Sequence, residues 1–132
     1  MMTFREIKIE DYNKLIPFWK ENYFVGEMDS LDRFKLFLDK NPKLSFLAED
    51  NGNITGTALG SFDGRRGYLQ KVVVDKKFRR QGLGQQLVKK VIEKLKTLGA
   101  TYIPVSVEED LVGFYEQCGF KKTSQIPMNI NI

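Results

Sequence analysis

The chain has 132 residues, 42% of them hydrophobic and 29% charged, with a net charge of +4, a single cysteine and no histidine. That size and balance describe one globular domain over residues 1–132 with a core of its own. Lone Cys118 excludes an internal disulfide, the absence of histidine removes Ser-His and Cys-His nucleophiles and any plausible zinc site, and +4 is too mild to argue for nucleic acid. No apolar run approaches the roughly 20 residues of a membrane span. The opening Met1-Met2-Thr3-Phe4-Arg5-Glu6-Ile7 lacks the apolar stretch of a signal peptide. A cytoplasmic protein with no metal and no membrane partner is expected.

Residues 3–9 alternate as a short strand. Asp11 is placed to cap a helix carrying Tyr12, Leu15, Ile16, Trp19 and Tyr23 at three- and four-residue spacing, with a kink or break expected at Pro17. Ser30 caps a second helix with Leu31, Phe34, Phe37 and Leu38 on its apolar side, ended by Pro42. Residues 43–49 and 54–62 flank Asn51-Gly52-Asn53, a hairpin signal because Asn-Gly supplies the positive φ angles of a tight turn. Asp63-Gly64-Arg65-Arg66-Gly67 leads into a strand over 68–74, whose apolar end Val72-Val73-Val74 reads as central and buried on both faces. A helix over about 82–98 carries Leu83, Leu87, Val91, Leu95 and Leu98 on one stripe and stops at Gly99. Residues 102–107 form a further strand, 109–118 a short helix stopped by Gly119, and the extended remainder is split by Pro127 into a possible last pair of strands. No repeat or linker divides the chain. The step from Val74 to Tyr102 implies a right-handed crossover with parallel strands.

Within this order, Arg79-Arg80-Gln81-Gly82-Leu83-Gly84-Gln85 joins a buried strand to an amphipathic helix through a basic turn. Glycines at a helix start let backbone N–H groups face outward where the helix dipole adds partial positive charge, which suits a phosphate or pyrophosphate. The dinucleotide fingerprint fits poorly, because Leu87 stands where a third glycine is wanted. The P-loop of nucleotide hydrolases fails, because Gln85-Gln86 replaces its Lys-Ser or Lys-Thr. Tight helix–strand packing is the competing explanation of the two glycines.

Arg79-Arg80-Gln81-Gly82-Leu83-Gly84 resembles the R/Q-x-x-G-x-G/A signature of the GNAT superfamily of N-acetyltransferases. About thirty residues on, Gly113-Phe114-Tyr115-Glu116-Gln117-Cys118-Gly119-Phe120 is similar to the family's second signature, a helix ending in F-Y-x-x-x-G-F. The resemblance covers nearly the whole chain. It implies a single α/β domain of order β-α-α-β-β-β-α-β-α-β(-β), with a mixed central sheet whose parallel strands around 68–74 and 101–107 splay apart. It implies acetyl-CoA as donor, CoA as product and a primary amine as acceptor, attacked directly in a ternary complex.

Carried onto these residues, the resemblance places the backbone of Val72, Val73 and Val74 along the thioester and pantetheine, and the amides of Arg79, Arg80, Gln81, Gly82, Leu83, Gly84 and Gln85 on the pyrophosphate. A bulge in the central strand would free the Val72 N–H for the oxyanion. Tyr115 matches the family's general-acid tyrosine, and an ordinary phenol pKa of about 10 suits transfer to a thiolate. Where several members carry a glutamate in the central strand, this chain has Tyr68, and where many have asparagine before the tyrosine helix it has Glu108. The base therefore stays open among Glu27, Asp29, Glu49, Asp63, Glu108 and water. Phe24, Glu27 and Asp29, with Tyr68 and Glu108, are candidates for acceptor contacts, the first three favouring a cation with an apolar neighbour. The expected partner is a small-molecule amine, with the chain a monomer or homodimer. A CoA-binding sensor without turnover is the alternative; an RNA-binding domain ranks last, for want of an aromatic RNA-binding signature.

Overall fold

A computed structural model of the chain describes residues 1–132. Four strands, β1 (Met2–Glu6), β2 (Phe46–Asp50), β3 (Asn53–Phe62) and β4 (Gly67–Val74), form one antiparallel sheet in the order β1-β2-β3-β4. Helices α1 (Tyr12–Asn22) and α2 (Leu31–Lys40) fall between β1 and β2, while α3 (Leu83–Thr97) and α4 (Val112–Gln117) follow β4. The Asn51-Gly52 turn has both residues at positive φ, 52° and 81°, as a two-residue hairpin demands. At the second hairpin the Asp63 carboxylate accepts from the amides of Arg65 and Arg66, both at 2.7 Å, and from the Tyr68 hydroxyl at 3.1 Å.

The sheet separates two apolar cores. The stripe of α3, Leu83, Leu87, Val91 and Leu95, closes one face together with Phe46 and Ala58, while Leu98 falls past its edge and is exposed. Each fully buried leucine there contributes roughly 1.5–3 kcal/mol. On the other face α1 and α2 bury Leu15, Trp19 and Phe34 against Leu47, Leu59 and Val73. Alternation along β4 sends Val73 to this second core and Val72 and Val74, half-buried, to the α3 side.

Local expectations held or failed for identifiable reasons. Ser30 caps α2, its hydroxyl accepting from the Arg33 amide at 3.3 Å. Asp11 does not cap α1: its carboxylate accepts from the Lys8 amide at 2.8 Å and from both terminal nitrogens of Arg5, at 2.8 and 2.9 Å. Burial pushes the Asp11 carboxyl up, but the Arg5 guanidinium and the Lys8 amide together hold it below its usual range. Pro17 neither breaks nor ends α1, which runs unbroken to Asn22. Pro17 and Asn13, whose carbonyl loses its helical donor, both lie on the exposed face, where that carbonyl is open to solvent.

Residues 101–107 differ most from expectation. The parallel companion of β4 does not form a ladder; the single backbone bond between them runs from the Gly67 N–H to the Tyr102 carbonyl at 3.0 Å. Pro104 interrupts this segment and has no N–H to donate, which disfavours continued pairing. Nor do residues beyond Phe120 pair: the last backbone bond joins the Phe120 N–H to the Tyr115 carbonyl. A cavity of about 790 Å³ lies between these two segments and Ile92 and Lys96 of α3.

Candidate active site

The turn between β4 and α3 is built from the strand outward. The Asp75 amide donates to the Thr55 carbonyl at 2.8 Å, and the Asp75 carboxylate accepts from the Lys77 amide at 2.9 Å, opening a short 3-10 turn over Lys76–Phe78. Arg79 folds back so that Nε donates to the Val74 carbonyl at 3.1 Å, which braces the turn against the strand end. Arg80 takes a left-handed φ of 67° and Gly82 one of 76°, and the chain enters α3 through these two reversals. From residue 79 to residue 85 no amide donates to a protein acceptor; the first that does is Gln86, to the Gly82 carbonyl at 3.1 Å.

The two glycines serve different ends. A Cβ on Gly82 would meet nothing within 4 Å, so this position supplies conformation and open approach. A Cβ on Gly84 would stand 3.0 Å from Cε1 of Phe114 and 3.4 Å from Val74, so here the packing explanation holds. Phe114 belongs to α4, and a second tie, from Gln85 Nε2 to Gln117 Oε1 at 2.6 Å, fastens α4 to the first turn of α3. The two sequence motifs thus meet in space.

Tyr115 sits between Phe114 and Phe120, edge-on to each ring at 5.0 and 5.6 Å. Burial, with smaller contributions from Cys118 and Tyr23, pushes its phenol up to about 12. The expectation of an ordinary phenol near 10 is thus corrected.

In β4 the register slips between Thr57 and Leu59, so that Ala58 alone stands opposite Lys71 and Val72. This is a β-bulge, and Lys71 takes a φ of 48° within it. Two residues that the sequence did not single out for the site hold it. The Trp19 indole N–H donates to the Thr57 hydroxyl at 3.0 Å, and that hydroxyl donates to the Lys71 carbonyl at 2.8 Å. Trp19 and Thr57 are fully buried, and a buried indole N–H needs such an acceptor; the chain's lone tryptophan was the available signal.

The acceptor candidates are not gathered into one cluster. Asp29 accepts from the Gly26 amide at 2.9 Å and from Lys71 Nζ at 3.1 Å. Phe24 lies beside the same Lys71 Nζ. Tyr68 is tied to Asp63 in the β3–β4 hairpin, and Glu27 and Glu108 are exposed. Lys71 itself was passed over by sequence reasoning, which sought a carboxylate on that strand.

Residues 9–120 match the family model described as the acetyltransferase (GNAT) family. Among solved structures, the fold is similar to a predicted acetyltransferase with acetyl-CoA from Clostridium acetobutylicum, with a TM-score of 0.82, 18% identity, and 99% of this chain and 96% of that one covered. It is also similar to glucosamine-6-phosphate N-acetyltransferase from Arabidopsis thaliana, with a TM-score of 0.77, 21% identity, and 99% and 98% covered. An acetyltransferase of Trypanosoma brucei aligns over 100% of both chains at 20% identity and a TM-score of 0.77.

Proposed function

The chain belongs to the acetyltransferase (GNAT) family, and we propose that it moves the acetyl group of acetyl-CoA to the primary amine of a small molecule by direct attack in a ternary complex. The observation that carries the proposal is the pairing, at the two ends of one strand segment, of a bulge at Val72 with a turn whose amides from residue 79 to residue 85 have no protein acceptor. Those amides would hold the pyrophosphate, with Gly82 leaving room for close backbone approach and Arg80 adding charge. Bound acetyl-CoA would supply an activated thioester carbonyl. The backbone of Val74 would run beside the pantetheine, and the Val72 amide would donate to the carbonyl oxygen as negative charge builds on it. One such donor is worth about 10²–10³ in rate.

Tyr115 would donate to the leaving sulfur. With its phenol at about 12 it keeps its proton throughout the physiological range. Against a thiol of pKa about 8.5 full proton transfer is uphill, so Tyr115 acts mainly as a hydrogen-bond donor to the developing thiolate. Three of the five candidate base carboxylates already have partners: Glu49 pairs with Arg5, Asp29 with Lys71, and Asp63 holds the hairpin. Deprotonation of the amine is left to solvent or to the exposed Glu27 and Glu108. A small acceptor has a counterpart in the glucosamine-6-phosphate enzyme among the similar structures.

The deciding experiment measures thiol release from acetyl-CoA across a panel of small amines, with cofactor binding followed in parallel. Release with one class of amine is expected. Binding with no release on any amine would replace the proposal with a sensor, and no binding would sink the cofactor assignment.

A further inference from the structure

Within β4, the Lys71 side chain is held by several groups at once. Its Nζ lies 2.8 Å from the Phe24 carbonyl and 3.1 Å from Oδ2 of Asp29. Three rings face the same nitrogen, Phe24 at 4.5 Å, Trp19 at 5.1 Å and Tyr23 at 5.2 Å from their centroids. The side chains of Lys71 and Asp29 are only 10% and 11% exposed. An aromatic wall, a carboxylate and a carbonyl converging on one nitrogen are the elements of a site for an organic ammonium ion. Here the chain fills that site itself. The left-handed φ at the bulge alters the strand's alternation and directs Lys71 toward the segment between α1 and α2.

The cage adjoins the proposed reacting centre through the chain itself, because Lys71 directly precedes Val72 in the bulge. The carboxylate and aromatic residue that favoured a cationic acceptor on sequence grounds are therefore already satisfied by an internal cation.

We infer that Lys71 determines acceptor specificity by occupying, from within, the ammonium subsite formed by Trp19, Tyr23, Phe24 and Asp29, so that the acceptor pocket rejects amines bearing a second positive charge. A diamine approaching Val72 finds the aromatic and anionic groups filled and meets a like charge, whereas a monoamine loses nothing. The consequence for acceptors rests on the acetyl-transfer function proposed above; the existence of the subsite does not.

Truncating Lys71 to alanine deletes a fragment that n-propylammonium reproduces atom for atom, from Cγ to Nζ. Trp19 is the only tryptophan, so its fluorescence reports the cage without acetyl-CoA or turnover. Lys71→Ala should show a saturable change in Trp19 emission with n-propylammonium chloride, absent in the wild type and in Lys71→Met, whose side chain refills the space. Sodium chloride at equal ionic strength serves as the control. Should Lys71→Ala fail to fold, Lys71→Gly removes those atoms and Cβ as well, and relaxes at this positive φ. In turnover, the ratio of kcat/KM for a diamine to that for a monoamine of equal length should rise about tenfold in the truncated variant and by less in Lys71→Met, which restores the filling but not the charge. A folded truncation variant that binds n-propylammonium no better than the wild type overturns the subsite. Binding with an unchanged diamine ratio overturns its role in specificity. If no amine is acetylated by the wild type, the transfer function and this role fail, while the fluorescence still decides whether the ammonium subsite exists.

Discussion

Residues 1–100 and residues 101–132 contribute to the proposed chemistry in different currencies. Every buried residue lies in the first region, which holds the whole sheet and both cores; the second has none, and its one α-helix, α4, runs only from Val112 to Gln117. The first region offers backbone groups: the Val72 amide on a bulge locked by Trp19 and Thr57, and the amides of the turn before α3. The second offers a side chain, Tyr115, carried on α4, whose named ties to α3 are Phe114 over Gly84 and Gln117 on Gln85. Backbone donors have no rotamers to adjust, so they must be set by the surrounding packing. A donor on a lightly anchored helix can give way as a substrate enters and leaves.

The contrast can be broken most forcefully at Tyr115. Tyr115→Phe removes the donor and keeps the ring, so thiol release should fall by about 10²-fold or more while cofactor binding and melting temperature change little. A variant of near wild-type rate would remove the second region from the chemistry. Trp19→Phe tests the first region. It leaves Thr57 without its donor and makes a small void, at a cost of about 1–3 kcal/mol. Denaturant unfolding should report that loss, and kcat should drop further than stability alone explains because the bulge loosens. Gly84→Val attacks the junction. Its side chain must displace Phe114, an overpacking of about 1–3 kcal/mol, yet α4 has room to move away, so the lower figure is expected. The telling readout is a fall in kcat at unchanged cofactor affinity, because the Gly84 amide survives the substitution; loss of affinity alone would mean that the added side chain disturbs the turn and not the Phe114 contact.

The smallest effects concern pH and separate the regions by sign. The Asp11 carboxyl is held below its usual range in the folded chain, so its contribution to stability is present above about pH 4 and is lost as pH falls through the depressed value. Relative to Asp11→Asn, the wild type should lose stability on acidification. The Tyr115 phenol is raised to about 12, so its contribution is present below about pH 10, the unfolded value, and is lost as pH rises toward 12. Relative to Tyr115→Phe, the wild type should lose stability across that alkaline window. Urea midpoints as a function of pH check both.

What the sequence disclosed follows the range of the forces involved. The Asn51-Gly52 turn, the Ser30 cap and the α3 stripe are local, and they stand where composition and spacing put them. Paired motifs located the glycine turn and Tyr115, because each motif encodes a backbone geometry in residue types. Contacts between distant segments were not legible. Nothing local links Trp19 to Thr57, or tells that Gly84 is small for the sake of Phe114. Asp11 looked like a cap because its partner Arg5 lies in the preceding strand, and strand spacing does not show which way an arginine turns. Lys71 escaped notice for a related reason: a bulge changes the alternation on which a facing assignment depends. The strand expected at 101–107 shows the limit of apolar pattern where Pro104 withholds a donor.

The spatial order of the sheet, β1-β2-β3-β4, is also the order of synthesis. β2, β3 and β4 pair through consecutive hairpins, so most of the sheet closes over short stretches of chain, the situation that favours rapid folding. By the time Ala100 has left a ribosome, every strand and both cores are available to assemble, and the glycine turn before α3 comes with them. Tyr115 arrives afterwards, onto a surface already made. On the function proposed above, a nascent chain stalled between the two would grip a cofactor before it could use one.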